Sequence, residues 1–566
     1  MDEIILKYAL QNAIRFNGKA NPNAVIGKIV QENPSLKSKI PEIKKSLDKI
    51  IKEIESLSVE EQIKNLSEIA PELLEEKVHE KRQGLPPLKN AIKGKVIMRF
   101  EPSPSGPLHI GHAYVLGLNS EYCRMYDGKL ILRIGDTNPN NIYEPAYRMI
   151  KEDADWVTKG NVSELMIQSD RIEIYYSYMK KLIVLGKVYV CKCNVEKYKE
   201  LLAEGKPCPC RELSNDEQLS RWEKMLSSKP DGYKEGEAVV RLKTDLSHKN
   251  PAMRDFPLFR IVENSHTRTG NKYRVWPLMN MSVAVDDIES NITHAVRAKD
   301  HYDNALKQKY IFEYLNKPFP ETIFVGRINF TGLVVSCTQT RKLIEAGEFS
   351  GWDDIRLPFL IALRKRGYQP EAFIKYAVDS GVTAHDKTVS KEEFFKTIDA
   401  FNKDVIDGKS YRYSFIWEPV EISVKDSPSQ NVELDLHPDN KKGGRKFSTG
   451  ESFFICKEDL EKFKDGKLYR MMDCLNFRKE NEKFVFDSLD YNVFKEKGSM
   501  IIHWLPADGE NVNVEVVMPD NSHSLGVAEE SVGKLAIGTV VQFSRFGFCR
   551  LDDVQEGKFI FRFGHR

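Results

Sequence analysis

The sequence predicts a multidomain chain that joins α/β layers to an all-β carboxyl-terminal part. Three observations carry that prediction. At 566 residues the chain is too long for one hydrophobic core and divides into roughly three to five domains. Between Gly94 and His112 an apolar run (Gly-Lys-Val-Ile-Met-Arg-Phe) gives way to a stiff Pro/Gly turn and then to apolar residues at helical spacing. That is the strand, turn and helix of a βα unit in a nucleotide-binding sheet. From Tyr411 onward, short alternating runs lie between Gly, Asp and Asn turns, the pattern of strands.

Composition narrows the class. The chain is 41% hydrophobic and 30% charged, and Lys+Arg 85 against Asp+Glu 83 leaves a net charge of +2. Any nucleic-acid binding therefore rests on local basic patches, not on global charge. No apolar run reaches membrane-span length. The start, Met1-Asp-Glu-Ile-Ile-Leu-Lys-Tyr, lacks the basic, apolar and small-residue order of a signal peptide. A cytoplasmic chain without membrane attachment is expected. Nine cysteines, four of them in two tight pairs, suit metal ligation in a reducing compartment better than a disulfide framework.

Residues 1–90 read as a charged helical region with Ile5, Tyr8, Ala9, Ala13 and Phe16 on one apolar stripe. A segment rich in Lys, Glu, Ile and Leu follows from Lys44 to Lys77, and Gly84-Leu-Pro-Pro-Leu forms a linker. A solvated bundle and a partner-docking surface are both open for this region. In the βα unit, His109 and His112 lie three apart on the first helical turn and share a face. Gly111 lets a flat base approach the backbone. The free amides and positive dipole end of the helix suit a phosphate chain, and two histidines there can donate to phosphoryl oxygens as charge develops. Leu130–Gly135 is the next strand, and Asp136-Thr-Asn-Pro at its end faces the ligand crevice of a parallel sheet.

Cys191 and Cys193 are one residue apart, as are Cys208 and Cys210, with fourteen residues between the pairs. Four thiolates so spaced can wrap a tetrahedral Zn²⁺, and with no open position the site would be structural. Pro358 to about Ala400 is helical and basic through Arg364, Lys365 and Arg366; contact to a nucleic-acid backbone and a solvated basic face are both open. At the end, Phe543-Ser-Arg-Phe-Gly-Phe-Cys-Arg-Leu and Phe559-Ile-Phe-Arg-Phe mix aromatics with arginines. These either stack unpaired bases or form a barrel core.

The run Arg99 to His112, Arg-Phe-Glu-Pro-Ser-Pro-Ser-Gly-Pro-Leu-His-Ile-Gly-His, resembles the HIGH signature of class I aminoacyl-tRNA synthetases. Its context resembles the glutamyl/glutaminyl subclass, where the signature follows an Arg-Phe and a Pro-Ser turn. Arg133-Ile-Gly-Asp-Thr-Asn-Pro is similar to a second element of that subclass. Ala9-Leu-Gln-Asn-Ala with Gly18-Lys-Ala-Asn-Pro-Asn-Ala-Val-Ile-Gly-Lys resembles the extension of archaeal-type glutamyl-tRNA synthetases, and Leu436-His-Pro-Asp-Asn-Lys-Lys-Gly-Gly-Arg resembles the anticodon-binding barrels of the subclass.

The resemblance spans nearly the full length. It implies a Rossmann-type class I catalytic domain with an inserted acceptor-binding domain, a helical N-terminal extension and C-terminal anticodon-binding β-barrels. The expected division is an extension at 1–90, the first half of the catalytic fold at 91–186 and an acceptor-end insertion with its zinc site at 187–290. The second catalytic half follows at 291–345, a helical stem-contact region at 346–410 and the barrels at 411–566. The extension is then open to tRNA contact or protein docking on a chain expected to be monomeric.

The implied activity is ligation of L-glutamate to tRNA(Glu) through a glutamyl-adenylate, with ATP carrying Mg²⁺ and with tRNA(Gln) left open as a second acceptor. His109 and His112 would be catalytic. Pro104, Gly106, His109, Gly111, His112, Ser336, Thr338, Arg341 and Lys342 would meet ATP. Arg99, Ser103, Asp136 and Arg297 would hold glutamate, whose two carboxylates suit two bidentate guanidiniums.

Two departures stand out. Gly135 occupies a position where the family usually carries a carboxylate associated with the substrate's amino group; Asp136 or a water is left for that task. The second family signature, KMSKS, falls on Leu333-Val-Val-Ser-Cys-Thr-Gln-Thr-Arg-Lys, its lysines on Ser336 and Gln339 and its serines on Thr338 and Thr340. Arg341 and Lys342 are expected to substitute. A glutaminyl-tRNA synthetase is the near alternative. A non-catalytic tRNA-binding paralogue is the distant one, and intact His109, Gly111 and His112 argue against it.

Overall fold

The computed structural model describes residues 2–16, 18–74 and 84–566. The chain divides into two compact units, Met1–Gln83 and Gly84–Arg566. In the first, α1 (Asp2–Arg15), α2 (Pro22–Glu32), α3 (Ile40–Glu55) and α4 (Val59–Ile69) form a small bundle. Local chemistry sets the helix starts. Asn21 accepts from the amides of Asn23 and Ala24 with Pro22 behind it, and Ser58 with Glu61 closes a capping box. Ile5, Tyr8, Ala9 and Ala13 are buried with Ile43, Leu47 and Ile54. Phe16 departs from the expected stripe: it lies past the end of α1, where the helical phase is lost, and is 62% exposed. The end of the expected Lys44–Lys77 segment, and everything from Glu75 to Gln83, lies outside the described residues.

The second unit is built on parallel strands. β1 (Ile97–Phe100) runs into α5 (Ile110–Met125), followed by β2 (Lys129–Ile134) and β3 (Glu164–Ile167). An antiparallel insertion follows: β4 (Val188–Cys191), β5 (Val239–Leu242), β6 (Pro257–Ile261) and β7 (Val275–Pro277). The chain then returns with β8 (His294–Ala298) and β9 (Glu321–Val325), which pair in parallel.

β2 lies between β1 and β3. Thr293, at the entry to β8, bonds β1 twice: its amide donates to the Ile97 carbonyl at 3.0 Å, and its Oγ1 accepts the Ile97 amide at 2.9 Å. The parallel groups β3-β2-β1 and β8-β9 thus meet at Thr293, in the order of a doubly wound fold whose direction of growth reverses between β1 and β8. Ligands bind at that reversal, outside the carboxyl ends of the strands. β1 and β2 are buried almost throughout, as a sheet covered on both faces demands.

Beyond the sheet, Leu360–Lys365, Pro370–Ser380 and Lys391–Ile406 are helices. Neither reading of the basic stretch here describes Lys365 and Arg366. Lys365 pairs with Asp353 at 2.8 Å and Asp552 at 3.4 Å. Arg366 is buried and donates to the carbonyls of Phe563 and Gly564. These two cations fasten the helices to the β region.

That region holds two seven-stranded sheets. The chain enters one through Arg412–Tyr413 and Phe415–Trp417, then builds the whole of the other between Pro419 and Pro506. It returns to complete the first with Asn511–Val517, His523–Glu529, Val540–Phe543, Gly547–Gln555 and Lys558–His565. The aromatic choice is decided for core at Phe543, Phe546, Phe548 and Phe561, all of them buried. The apolar run from Met500 to Leu505 is divided between two strands, Gly498–Ile502 and Leu505–Pro506. The break falls at His503, which turns inward to the Phe415 carbonyl.

Candidate active site

A cleft of about 710 Å³ opens at the carboxyl ends of β1, β8 and β9. Of the residues singled out from sequence, it brings together Arg99, Ser103, His109, Gly111, His112, Arg297, Ser336 and Thr338. Pro104, Gly106, Asp136, Arg341 and Lys342 are not on its wall.

His109 is the N-cap of α5, and its Nδ1 accepts from the amides of Gly111 (3.0 Å) and His112 (3.4 Å). His112 answers by accepting the His109 amide on its own Nδ1 at 3.4 Å. The Ile110 amide goes to the Pro358 carbonyl at 3.2 Å. The amides expected to be free for phosphate are thus engaged, which corrects that part of the sequence reading. The same bonds fix the tautomer: with each Nδ1 accepting, each Nε2 carries the hydrogen and can donate.

A Cβ added at Gly111 would stand 3.0 Å from His109 Cε1, so the glycine makes room for the capping ring. The two rings stack with centroids 3.7 Å apart. Burial depresses both basicities, with His112 held down at about 4 and His109 well below its ordinary value, the latter also through His112 and the Arg327 guanidinium. Both are neutral donors at pH 7, which spares the stack two adjacent positive charges.

Deeper in the cleft is a buried ionic cluster. Asp287 accepts from Arg99 at 3.2 and 3.4 Å and pairs with Arg133 at 2.8 Å and Arg297 at 3.9 Å. Asp286 takes Arg171, Gln168 and Tyr175. Burial works to raise the Asp287 carboxyl, but three guanidiniums outweigh it and hold it low. Four arginines face Glu101, Asp286 and Asp287, so the cluster carries one surplus positive charge, and Arg99 and Arg297 present theirs to the cleft. Burial and the neighbouring Arg99 depress the Arg297 guanidinium to about 9, so an incoming carboxylate relieves a site short of anions.

These features have counterparts in known proteins. Residues 95–408 match the model of the class I tRNA synthetases (E and Q) catalytic domain, and residues 410–494 and 501–552 match the two anti-codon binding domain models of the same group. The chain belongs to the class I glutamyl/glutaminyl tRNA synthetases. It is 43% identical to a glutamate–tRNA ligase of Thermococcus kodakarensis over all of this chain and 99% of the relative. Identity is 42% to the one of Pyrococcus abyssi and 41% to the one of Methanocaldococcus jannaschii, each over the whole of both chains.

The stretch from Leu333 to Lys342, expected to carry the second signature, borders the cleft at residues 335–338. Ser336 caps the helix Cys337–Glu345 by accepting the Gln339 amide. Thr338 reaches the cleft, and Thr340 is buried in the helix. Arg341 pairs weakly with Glu345 at 3.8 Å and lies over Tyr143, and Lys342 is exposed. Besides Arg99 and Arg297, the cleft wall carries Arg327, after β9, which sequence reasoning missed. Its signal was an arginine at the carboxyl end of a strand in a doubly wound sheet.

Glu101, just past β1, was missed in the same way. Asp136 is spent elsewhere, accepting from the Tyr147 hydroxyl and the Ser169 amide at 2.7 Å each. The Pro104 carbonyl binds the Tyr143 amide, and Gly106 packs against Trp352 and Cys337; both shape the turn from behind.

In the insertion, the sulfurs of Cys191, Cys193, Cys208 and Cys210 all lie within 4.8 Å of one another. Cys191–Cys208 and Cys193–Cys210 are each 3.8 Å apart. That is the edge of a tetrahedron with metal–sulfur bonds of about 2.3 Å, so the donor set fits Zn²⁺. No helix among the described residues is long and apolar enough to cross a membrane.

Proposed function

We propose that this synthetase ligates L-glutamate to tRNA(Glu) at the expense of ATP. The observation that carries the reading is one cleft holding two neutral Nε2–H donors beside two buried guanidiniums that share a single aspartate. Whole-length similarity to named glutamate–tRNA ligases supports it.

In the first step a glutamate carboxylate oxygen attacks the α-phosphorus of Mg²⁺-bound ATP, and pyrophosphate leaves. His109 and His112 donate to phosphoryl oxygens as charge grows there, chiefly by electrostatics. Arg99 and Arg297 hold carboxylate, Ser103 and Thr338 line the approach, and Arg327 faces the phosphates. In the second step a hydroxyl of the tRNA terminal ribose attacks the adenylate carbonyl and AMP leaves. The insertion grips the acceptor end and the barrels read the anticodon.

Glutamate-dependent, tRNA-supported pyrophosphate exchange tests the reading. Exchange with glutamate and none with glutamine is expected; the reverse would reassign the chain to the glutaminyl branch. Aminoacylation of tRNA(Glu) and tRNA(Gln) in parallel decides the acceptor.

Cys191, Cys193, Cys208 and Cys210 would hold a structural Zn²⁺ that cross-links the loops before and after the helix Val195–Ala203. Metal analysis should find one zinc per chain. Cys208→Ser should lose it and weaken tRNA affinity more than ATP affinity. Zinc-free protein with full charging activity refutes the assignment.

A further inference from the structure

An amino acid presents an ammonium as well as carboxylate, and the cleft described above is rich in cations. Glu101 is the one acidic residue on the described cleft wall. The other acids nearby are committed. Asp136 is 1% exposed, with one carboxylate oxygen bonded to Tyr147 and the other to Ser169. Asp286 and Asp287 are buried behind the wall among arginines.

Glu101 differs. Its Oε2 accepts from Arg133 at 3.1 Å, an arginine shared with Asp286 and Asp287. Its Oε1 has only a long contact to Gln168 at 3.4 Å. That half of the carboxylate has acceptor capacity left. Burial pushes the Glu101 carboxyl upward against the pull of Arg133 and Arg99, so a second cation would relieve it.

Glu101 also explains Gly135. β1 and β2 are neighbours in parallel register, and the Gly135 amide donates to the Pro102 carbonyl at 3.0 Å. A Cβ built on Gly135 would stand 3.6 Å from Glu101 Oε1 and 3.7 Å from Glu101 Cγ. A side chain at 135 would start in van der Waals contact with the Glu101 carboxylate and with Gln168 Oε1, 3.7 Å away. A second carboxylate there would set two like charges together away from water, a costly arrangement.

We propose that Glu101 receives the α-ammonium of the amino-acid substrate, supplying from β1 the acid that the end of β2 lacks. The proposal rests on the reading of this cleft as an amino-acid-activating site. It makes Glu101 a substrate-binding residue and positions 101 and 135 an interchangeable pair.

The test is pyrophosphate exchange with glutamate and ATP varied separately. Glu101→Gln keeps an acceptor toward Arg133 but loses the charge. Its KM for glutamate should rise roughly 10–100-fold, the worth of a charge-assisted bond, with KM for ATP within about twofold. Parental enzyme should be inhibited by glutamate analogues only when they carry an amino group, so glutarate should inhibit weakly. Glu101→Gln should lose that discrimination.

Gly135→Glu alone should lose at least about tenfold in kcat/KM through like-charge crowding. Glu101→Ala with Gly135→Glu should exceed both single variants by about tenfold. A parental KM in Glu101→Gln, or a double variant no better than Glu101→Ala, overturns the proposal while leaving the functional reading intact. No exchange by the parental chain with glutamate overturns that reading and the proposal with it.

Discussion

The two signature regions of this synthetase face the same cleft and are built on opposite principles. At the start of α5 the backbone amides are held by local bonds. His109 and His112 cap each other's amides, Gly111 makes room for the capping ring, and Asp153 accepts the Leu108 amide at 3.0 Å just upstream. At Ser336 to Lys342 the first three residues line the cleft, while Arg341 pairs with Glu345 and Lys342 is exposed. Where geometry must be held before the substrate arrives, local hydrogen bonding fixes it. Where charge alone is needed, another element can supply it, and here Arg327 stands on the wall.

The comparison breaks most sharply at His109. His109→Ala removes a donor and unseats the cap that orients His112, so ATP-dependent activation should fall by ~10²–10³-fold, with glutamate affinity little changed. Stopped-flow or exchange kinetics decide it; near-parental turnover would show that the cap is structural only. Arg327→Ala should cost less, roughly 10–100-fold in activation, because a more exposed cation is worth less than a buried preorganised donor. Arg341→Ala and Lys342→Ala should each stay within about threefold of the parent, screened and directed away. A large loss from either would mean that the second loop swings in during the reaction.

The smallest effect concerns pH. With both imidazoles depressed, the neutral donors persist well below pH 6.5, so activation should change less than about twofold between pH 8 and 6. An acid limb centred near 6.5 would contradict the stacked neutral pair. The stability sign follows from the same shifts. The unfolded chain takes up these protons first, so folding stability falls as pH drops below 6.5 toward the depressed native values. Denaturant melts at pH 7.5 and 5 measure it.

Much of this was legible in the sequence because local patterns impose local structure. The strand, turn and helix around His109 and the spacing of the cysteine pairs are local patterns, and the alternating runs after Tyr411 announce strands without fixing their number or pairing. Misreadings arose where a side chain's direction depends on distant partners. Asp136 looked like a ligand until Tyr147 and Ser169 claimed it. Lys365 and Arg366 looked like a basic face until residues near 552 and 564 took them. Glu101 and Arg327 were overlooked because their neighbours on the cleft wall come from other strands. Phe16 continued the α1 pattern in the sequence, but the helix had already ended.

The interleaving of the two β sheets also has a bearing on the order of events at the ribosome. The sheet holding Phe415–Trp417 waits for the strands after Asn511 before it can close, whereas the sheet nested within it is already whole by Pro506. The nested barrel can therefore form while its host is still a pair of unpaired edges. Those edges are exposed for the time it takes to synthesise the remaining strands, a window that invites mispairing. The last strand, Lys558–His565, ends that window and presents the carbonyls that Arg366 grips. The Arg366 contacts between barrel and helices thus wait for this strand.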